Sequence, residues 1–263
     1  MSLWVLRGLR DGVVTTGWPS RPDGYADCWR GPATVRGSSA DPVLAALCPT
    51  GAISVTGAAV RVDQGRCILC GRCVARRPDV FAWSQGATGP GAAALAREAL
   101  VVPELPETGA AIAQARARLA ERTAALRRSV HVRHVDAGSD GSEEWEIQAL
   151  LGPVYDVHRL GIFFTASPRH ADVLLVTGAG ARGMAGPLRA TYDAMPDPRV
   201  VIACGTDAIS GGLLAGSAAT TGGVAATVPV DVLVAGSPPS PFGILNALLI
   251  AVGKLAGGGK GKR

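Results

Sequence analysis

Three cysteines, Cys67, Cys70 and Cys73, are separated by Ile68-Leu69 and Gly71-Arg72. This C-x2-C-x2-C spacing lets three thiolates wrap one face of a cubane iron–sulfur cluster, whose chemistry is the transfer of single electrons. A fourth cysteine lies upstream in Cys48-Pro49-Thr50-Gly51. Zinc also accepts four thiolates, but its sites usually use two separate C-x2-C knuckles. The run Met1-Ser2-Leu3-Trp4-Val5-Leu6-Arg7 soon meets Arg10 and Asp11, so no secretory leader is expected there. The expected compartment is the reducing cytoplasm, where closely spaced cysteines point to metal or redox use rather than to disulfides. Cys28 has no partner at ligand spacing, and Cys204 closes an apolar run. Both read as ordinary thiols, the second as a small core hydrophobe.

Residues 38–84 resemble the bacterial dicluster ferredoxin family. There the three-cysteine run continues as C-x3-C-P, and here that position reads Arg77-Pro78. The second Cys-Pro is Cys48-Pro49, with Ser38, Asp41 and Leu44 where its own three companions would stand. The resemblance implies that Cys48 completes the site begun by Cys67, Cys70 and Cys73. It also implies that the other site, at Ser38, Asp41, Leu44 and Arg77, has lost all four ligands. One 4Fe–4S cluster on Cys48, Cys67, Cys70 and Cys73 is the expectation.

The elements that must carry such a site fall into zones. Residues 1–85 are turn-rich and hold five of the six cysteines; they read as a small α+β ferredoxin-like domain. Residues 86–128 read as a Gly/Ala/Pro-rich linker, with a helical piece at 92–100 and an Ala/Arg-rich helix over 107–128. Residues 129–256 alternate apolar strands (129–135, 172–177, 199–204 and 230–235) with helices (143–151, 184–194 and 242–255). Continuous apolar strands between helices argue for a parallel sheet covered on both faces, with function at the strands' carboxyl ends. Residues 257–263 read as a basic, disordered tail.

The second half carries a second resemblance. Ser167-Pro168-Arg169-His170-Ala171-Asp172, Tyr192-Asp193-Ala194-Met195-Pro196 and Val230-Asp231-Val232-Leu233 are similar to the small electron-transfer (B-type) subunit of respiratory complex I. They are closer still to the small subunit of formate-hydrogenlyase-type nickel–iron hydrogenases, over roughly residues 129–254. The opening Leu6-Arg7-Gly8-Leu9-Arg10-Asp11 resembles the start of the ferredoxin-like subunits of the same complexes, so the chain looks like a fusion of two subunits. The resemblance implies a flavodoxin-like α/β sandwich and a large partner subunit, with other iron–sulfur or membrane subunits nearby. It also implies a cytoplasmic, peripheral position at the inner face of the cell membrane. The family's own cluster uses four cysteines at strand ends, and this chain has Asp140, Glu143, Asp207 and Ser237 in their places. Such hard oxygen donors suit a sulfide cluster poorly, so no second cluster is expected. They read as interface polar groups, with a carboxylate site for a hard cation as the alternative.

Weaker signals supply competing readings. Gly178-Ala179-Gly180-Ala181-Arg182-Gly183 is a formal G-x-G-x-x-G after a strand, which would make the chain a nucleotide-binding oxidoreductase. Arg169 and His170 lie in the stretch that borders the quinone region in complex I relatives. A non-redox assembly subunit, with a structural cluster or zinc on the same cysteines, is the remaining class. Composition prunes the rest. With 48% hydrophobic and 18% charged residues the chain can bury a core, which excludes wholesale disorder. The net charge of +5 owes much to Lys254, Lys260, Lys262 and Arg263, so no nucleic-acid partner is expected. No run of about 18 apolar residues marks a membrane span.

Overall fold

A computed structural model describes residues 3–39, 41–85, 93–103, 108–124, 126 and 129–255. The first elements are α1 (Leu3–Asp11), α2 (Gly24–Cys28), β1 (Arg30–Val35), β2 (Ile53–Thr56), β3 (Ala59–Asp63), α3 (Arg72–Arg76), β4 (Phe81–Gln85) and β5 (Val101–Val102). Then come α4 (Thr108–Thr123), β6 (Val130–Asp136), α5 (Ser142–Leu150), β7 (Ile162–Phe164), β8 (Val173–Thr177), α6 (Arg182–Asp193), β9 (Val200–Cys204), α7 (Thr206–Ser210), β10 (Val232–Val234) and α8 (Pro241–Ala251).

β1 and β4 pair antiparallel, Val35 opposite Phe81. β2, β3 and β5 form a second antiparallel sheet, with Val62 between Ile53 and Val102. Their apolar side chains share one small core around Leu44, Val60, Val62, Val80 and Phe81.

The remaining strands form a wholly parallel five-stranded sheet in the order β7-β6-β8-β9-β10. Counted from β6, this is the doubly wound 2-1-3-4-5 order of flavodoxin-like folds. Burial of both faces explains why β8 and β9 are almost wholly apolar, whereas β6 alternates valines with His131 and Arg133. Val173 and Leu175 of β8, with Val200, Ile202 and Cys204 of β9, face the layer of α5 and α8. Leu174, Val176, Val201 and Ala203 face the opposite layer, packed with Leu188 of α6 and Ile209 of α7.

Two aspartates close ladder positions at the entry of these strands. Asp172 Oδ2 accepts the His131 N–H at 2.8 Å, and Asp231 Oδ2 accepts the Val201 N–H at 2.9 Å. Asp231 also pairs with Arg122 of α4 at 2.5 Å. Asp231→Ala should cost about 1–3 kcal/mol in urea unfolding, because it strands a part-buried N–H. Arg122→Ala, which removes a half-exposed ion-pair partner and its hydrogen bond to the Arg199 carbonyl, should cost less, about 1 kcal/mol.

The sheet departs from the sequence reading in several places. It has a fifth strand, β7, too short at three residues to show a periodicity. The helix expected over 92–100 does not form among the described residues. Ala94 exchanges N–H···O bonds with Leu233 of β10, both 2.8 Å, and only Arg97–Leu100 makes a 3-10 turn. The reason is tertiary: the unpaired edge of β10 offers this segment hydrogen bonds, and the turn drops Leu100 into the core at 0% exposure. The turn-rich opening includes a nine-residue helix, α1. Helix α8 stops at Ala251, short of 255. The linker at 86–92 and the tail at 257–263 lie outside the described residues.

Candidate functional site

The cysteines are positioned by the small core and by two left-handed residues. Cys48 follows the 3-10 turn Pro42–Leu47, and Cys67 follows a turn at Gln64–Arg66. Leu69 (φ 53°) and Gly71 (φ 73°) then curl the chain around Cys70 and into α3, which carries Cys73. Positive φ is costly for leucine and tends to mark ligand sites. The outcome is one apolar hollow lined by Cys48, Cys67, Cys70 and Cys73, walled by Ala33, Ile53, Val62 and Trp83.

Backbone donors point at these sulfurs. Ala33 N–H donates to Cys67 Sγ at 3.4 Å, and Ala52 N–H donates to Cys48 Sγ at 3.2 Å. Thr50 Oγ1 lies 3.3 Å from Cys48 Sγ. Burial pushes the Cys67 thiol up, and negative charge on Cys48 and Cys70 would push it further. Burial and then the neighbouring Cys67 raise Cys73 to about 11. Four thiolates cannot share so apolar a hollow without a cation to offset them, and bound metal reverses this preference. Among the described residues, no group of three or more His, Cys, Asp or Glu is placed to hold a single metal ion. A zinc ion demands four sulfurs about 2.3 Å from one point, whereas a cubane takes its thiolates at separate iron corners.

The four positions expected to have lost a second ferredoxin site are occupied otherwise. Leu44 fills the small core at 1% exposure. Arg77 forks onto Asp79 at 2.7 Å and reaches Asp41 at 3.7 Å, while Ser38 is exposed.

The hollow abuts the carboxyl edge of the parallel sheet. Thr206, at the start of α7, donates its hydroxyl to the Cys67 carbonyl at 2.9 Å. Leu69 and Trp29 share a cleft with Gly236 and Pro239, beyond β10. At this edge Glu143 is buried, at 1% exposure, and its Oε1 has no hydrogen-bond partner. It lies against the β9–α7 turn so closely that a Cβ on Gly205 would come within 2.5 Å of Oε1. Burial, then the charges of Asp207 and Asp140, push the Glu143 carboxyl up to about 7. Asp207 is also raised, by burial and then by Asp140. Asp140 is exposed and Ser237 half-buried. Among the described residues these side chains form no group of three or more placed to hold a metal ion.

Three N–H groups of the glycine loop are already taken by neighbouring backbone. Ala179 N–H donates to Gly138, Ala181 N–H to Ala137 and Arg182 N–H to Ala219. The loop is stitched down by the segment at 219–223, through the Ala181–Thr220 bridge. Arg169 and His170 are exposed on the turn leading into β8, at the sheet end away from the hollow. Cys28 is exposed at the end of α2, and Cys204 is fully buried in the sheet core.

Comparison with known proteins places this sheet. Residues 141–251 match the family model of the NADH ubiquinone oxidoreductase 20 kDa subunit. The probable membrane-bound hydrogenase subunit mbhJ of Pyrococcus furiosus is 40% identical over 139 residues, 53% of this chain and 83% of that protein. The chain belongs to the NADH ubiquinone oxidoreductase 20 kDa subunit family. Formate hydrogenlyase subunit 7 of Escherichia coli is 38% identical over 159 residues, 60% of this chain. The B-type subunit of NADH-quinone oxidoreductase from Desulfovibrio desulfuricans is 46% identical over 104 residues, 40% of this chain. The chain spans 61% and 56% of the lengths of these last two relatives.

The 20 kDa subunit match covers α5 through α8, and thus Glu143, Asp207, Ser237 and the glycine loop. The four cysteines lie before it. The sequence named all four, but the contact between Thr206 and Cys67 was invisible there. It joins residues 139 apart, and neither type signals the other.

Proposed function

We propose that this chain is an electron-transfer subunit, with one 4Fe–4S cluster on Cys48, Cys67, Cys70 and Cys73 in a ferredoxin-like domain over residues 1–85. Residues 86–128 would connect it to a cluster-free 20 kDa subunit-type domain over 129–256. The observation that carries this reading is the single hollow lined by all four cysteines. The donor set is soft thiolate, as iron–sulfur centres require, and two sulfurs already accept backbone N–H groups of the kind that tune cluster potential. When bound, the cluster supplies reversible one-electron chemistry. The protein supplies the rest. Ile53, Val62 and Trp83 exclude water, Ala33 and Ala52 set hydrogen bonding to sulfur, and Leu69 and Gly71 hold the loop in its wrapped form.

The flavodoxin-like half then acts as a docking scaffold. Relatives named as hydrogenase and NADH-quinone oxidoreductase subunits support a place in such an assembly, beside a large subunit and other iron–sulfur or membrane subunits. Among the described residues no helix is long and apolar enough to cross a membrane, so contact with the inner face of the cell membrane would be peripheral. Anaerobic iron and sulfide analysis with EPR tests the proposal. About four iron and four sulfide per chain are expected, with visible absorbance that bleaches on dithionite and a reduced-state EPR signal. A colourless protein, one loaded with zinc, or one with two clusters would overturn it.

A further inference from the structure

Glu143 is buried at the sheet edge that the cysteine hollow abuts. Its Oε1 presses on Gly205, and the next residue, Thr206, holds the Cys67 carbonyl. Its other oxygen, Oε2, is 3.2 Å from the Ser142 hydroxyl, which also reaches Asp140 Oδ1 at 2.6 Å. Asp140 is exposed, so one hydroxyl bridges a surface carboxylate and a buried one. That is a proton route from solvent to a carboxyl whose Oε1 has no hydrogen-bond partner among the described residues.

We propose that Glu143 is a proton-binding site coupled to electron occupancy at the four-cysteine hollow. This rests on reading that hollow as a redox centre. One electron arrives at the cysteine site from a one-electron reductant, and one proton from water passes by way of Asp140 and Ser142 to the Glu143 carboxylate. An O–H bond forms on Glu143, and the added negative charge is neutralised nearby. Reoxidation releases the same proton by the same route.

The charged groups around Glu143 fix the sign. Asp207 faces it from α7, Asp140 from its own loop, and the protonated thiol of Cys204 from β9. Helix α8, packed on α5, carries no titratable residue. No cation is among the groups acting on Glu143, so the carboxyl is held near neutrality by burial and by like charges. Further negative charge at the hollow raises its proton affinity. Between its two affinities the midpoint potential must fall as pH rises, and each tenfold change in proton activity corresponds to at most about 59 mV for one electron and one proton.

The test is an EPR-monitored redox titration between pH 5.5 and 8.5, on protein whose cluster content has first been counted. The wild type should show a midpoint that declines across neutrality, and Glu143→Gln should show a flat one with the same iron content. Asp207→Asn should move the sloping region to lower pH, because it removes a charge that raises Glu143. In the infrared, reduction at pH 7 should bring up a protonated carboxyl band that Glu143→Gln lacks. A purely structural role would lower the melting temperature of Glu143→Gln and leave the slope intact. A cluster whose wild-type midpoint is flat, or a slope that survives Glu143→Gln, overturns this inference alone. Protein that assembles no cluster overturns it together with the function above.

Discussion

Cys67→Ala removes the cluster: iron falls from about four to below one per chain, and the visible absorbance and reduced-state EPR signal vanish. Cys67 is the most enclosed of the four sulfurs, at 9% exposure, and it belongs to the small apolar core. Among the described residues no carboxylate or hydroxyl side chain lines the hollow to take its place, Thr50 reaching only Cys48 of the four sulfurs, so a three-thiolate remnant is open to solvent and hydrolysis. Cys48→Ala should have the same effect, although Cys48 is distant in sequence, because its sulfur faces the same hollow. Cys28→Ala and Cys204→Ala should leave iron content unchanged, since one lies exposed at the end of α2 and the other faces the layer of α5 and α8. The small core around Leu44, Val62 and Phe81 is thin, and ligand binding in such domains contributes directly to folding. The Cys67→Ala protein should therefore lose the unfolding transition of the small sheets while keeping that of the parallel sheet. Full iron occupancy in Cys48→Ala would show that the fourth ligand lies elsewhere.

What the sequence made legible was decided by the range of the forces involved. Strands β8 and β9 announce themselves because both faces are buried, and an unbroken run such as Val173-Leu174-Leu175-Val176 has few other homes, while β6 shows itself by alternation. The cysteine run is legible because the geometry of a metal centre sets its own spacing. β7 was not legible, since its three residues, Ile162–Phe164, give no period, and the strand exists because β6 offers a free edge. The segment at 92–100 was misread because alanine content argues for a helix locally, while the β10 edge and a buried Leu100 argue otherwise from afar. The bridge from Asp140 through Ser142 to Glu143 lay in plain view as Asp140-Gly141-Ser142-Glu143. Its meaning came only from the burial that the fold imposes on Glu143.

The glycine loop shows how a motif is resolved by geometry, and it yields the second large effect. Gly178→Ala should destabilise the protein by at least about 3 kcal/mol, lowering the melting temperature by roughly 6–12 °C. Gly178 sits at φ 84°, and an added Cβ would come within 2.5 Å of the Gly138 carbonyl carbon and the Ser139 nitrogen. Both contacts are backbone, so neither can swing away. They come from the loop after β6, which crosses the loop after β8 at the switch point where doubly wound folds usually leave a ligand crevice. Here the two backbones fill it. Gly183 provides the contrast, since nothing lies within 4 Å of a Cβ placed there. In a dinucleotide loop the third glycine is needed for close helix–strand packing, and Gly183→Ala would then be as damaging as Gly178→Ala. On this structure it should be neutral or stabilise α6 by up to about 1 kcal/mol, and millimolar NAD or ATP should leave the melting temperature of the wild type unmoved. The first glycine is required because two strand-end turns touch, and the third is free because a side chain there meets open space.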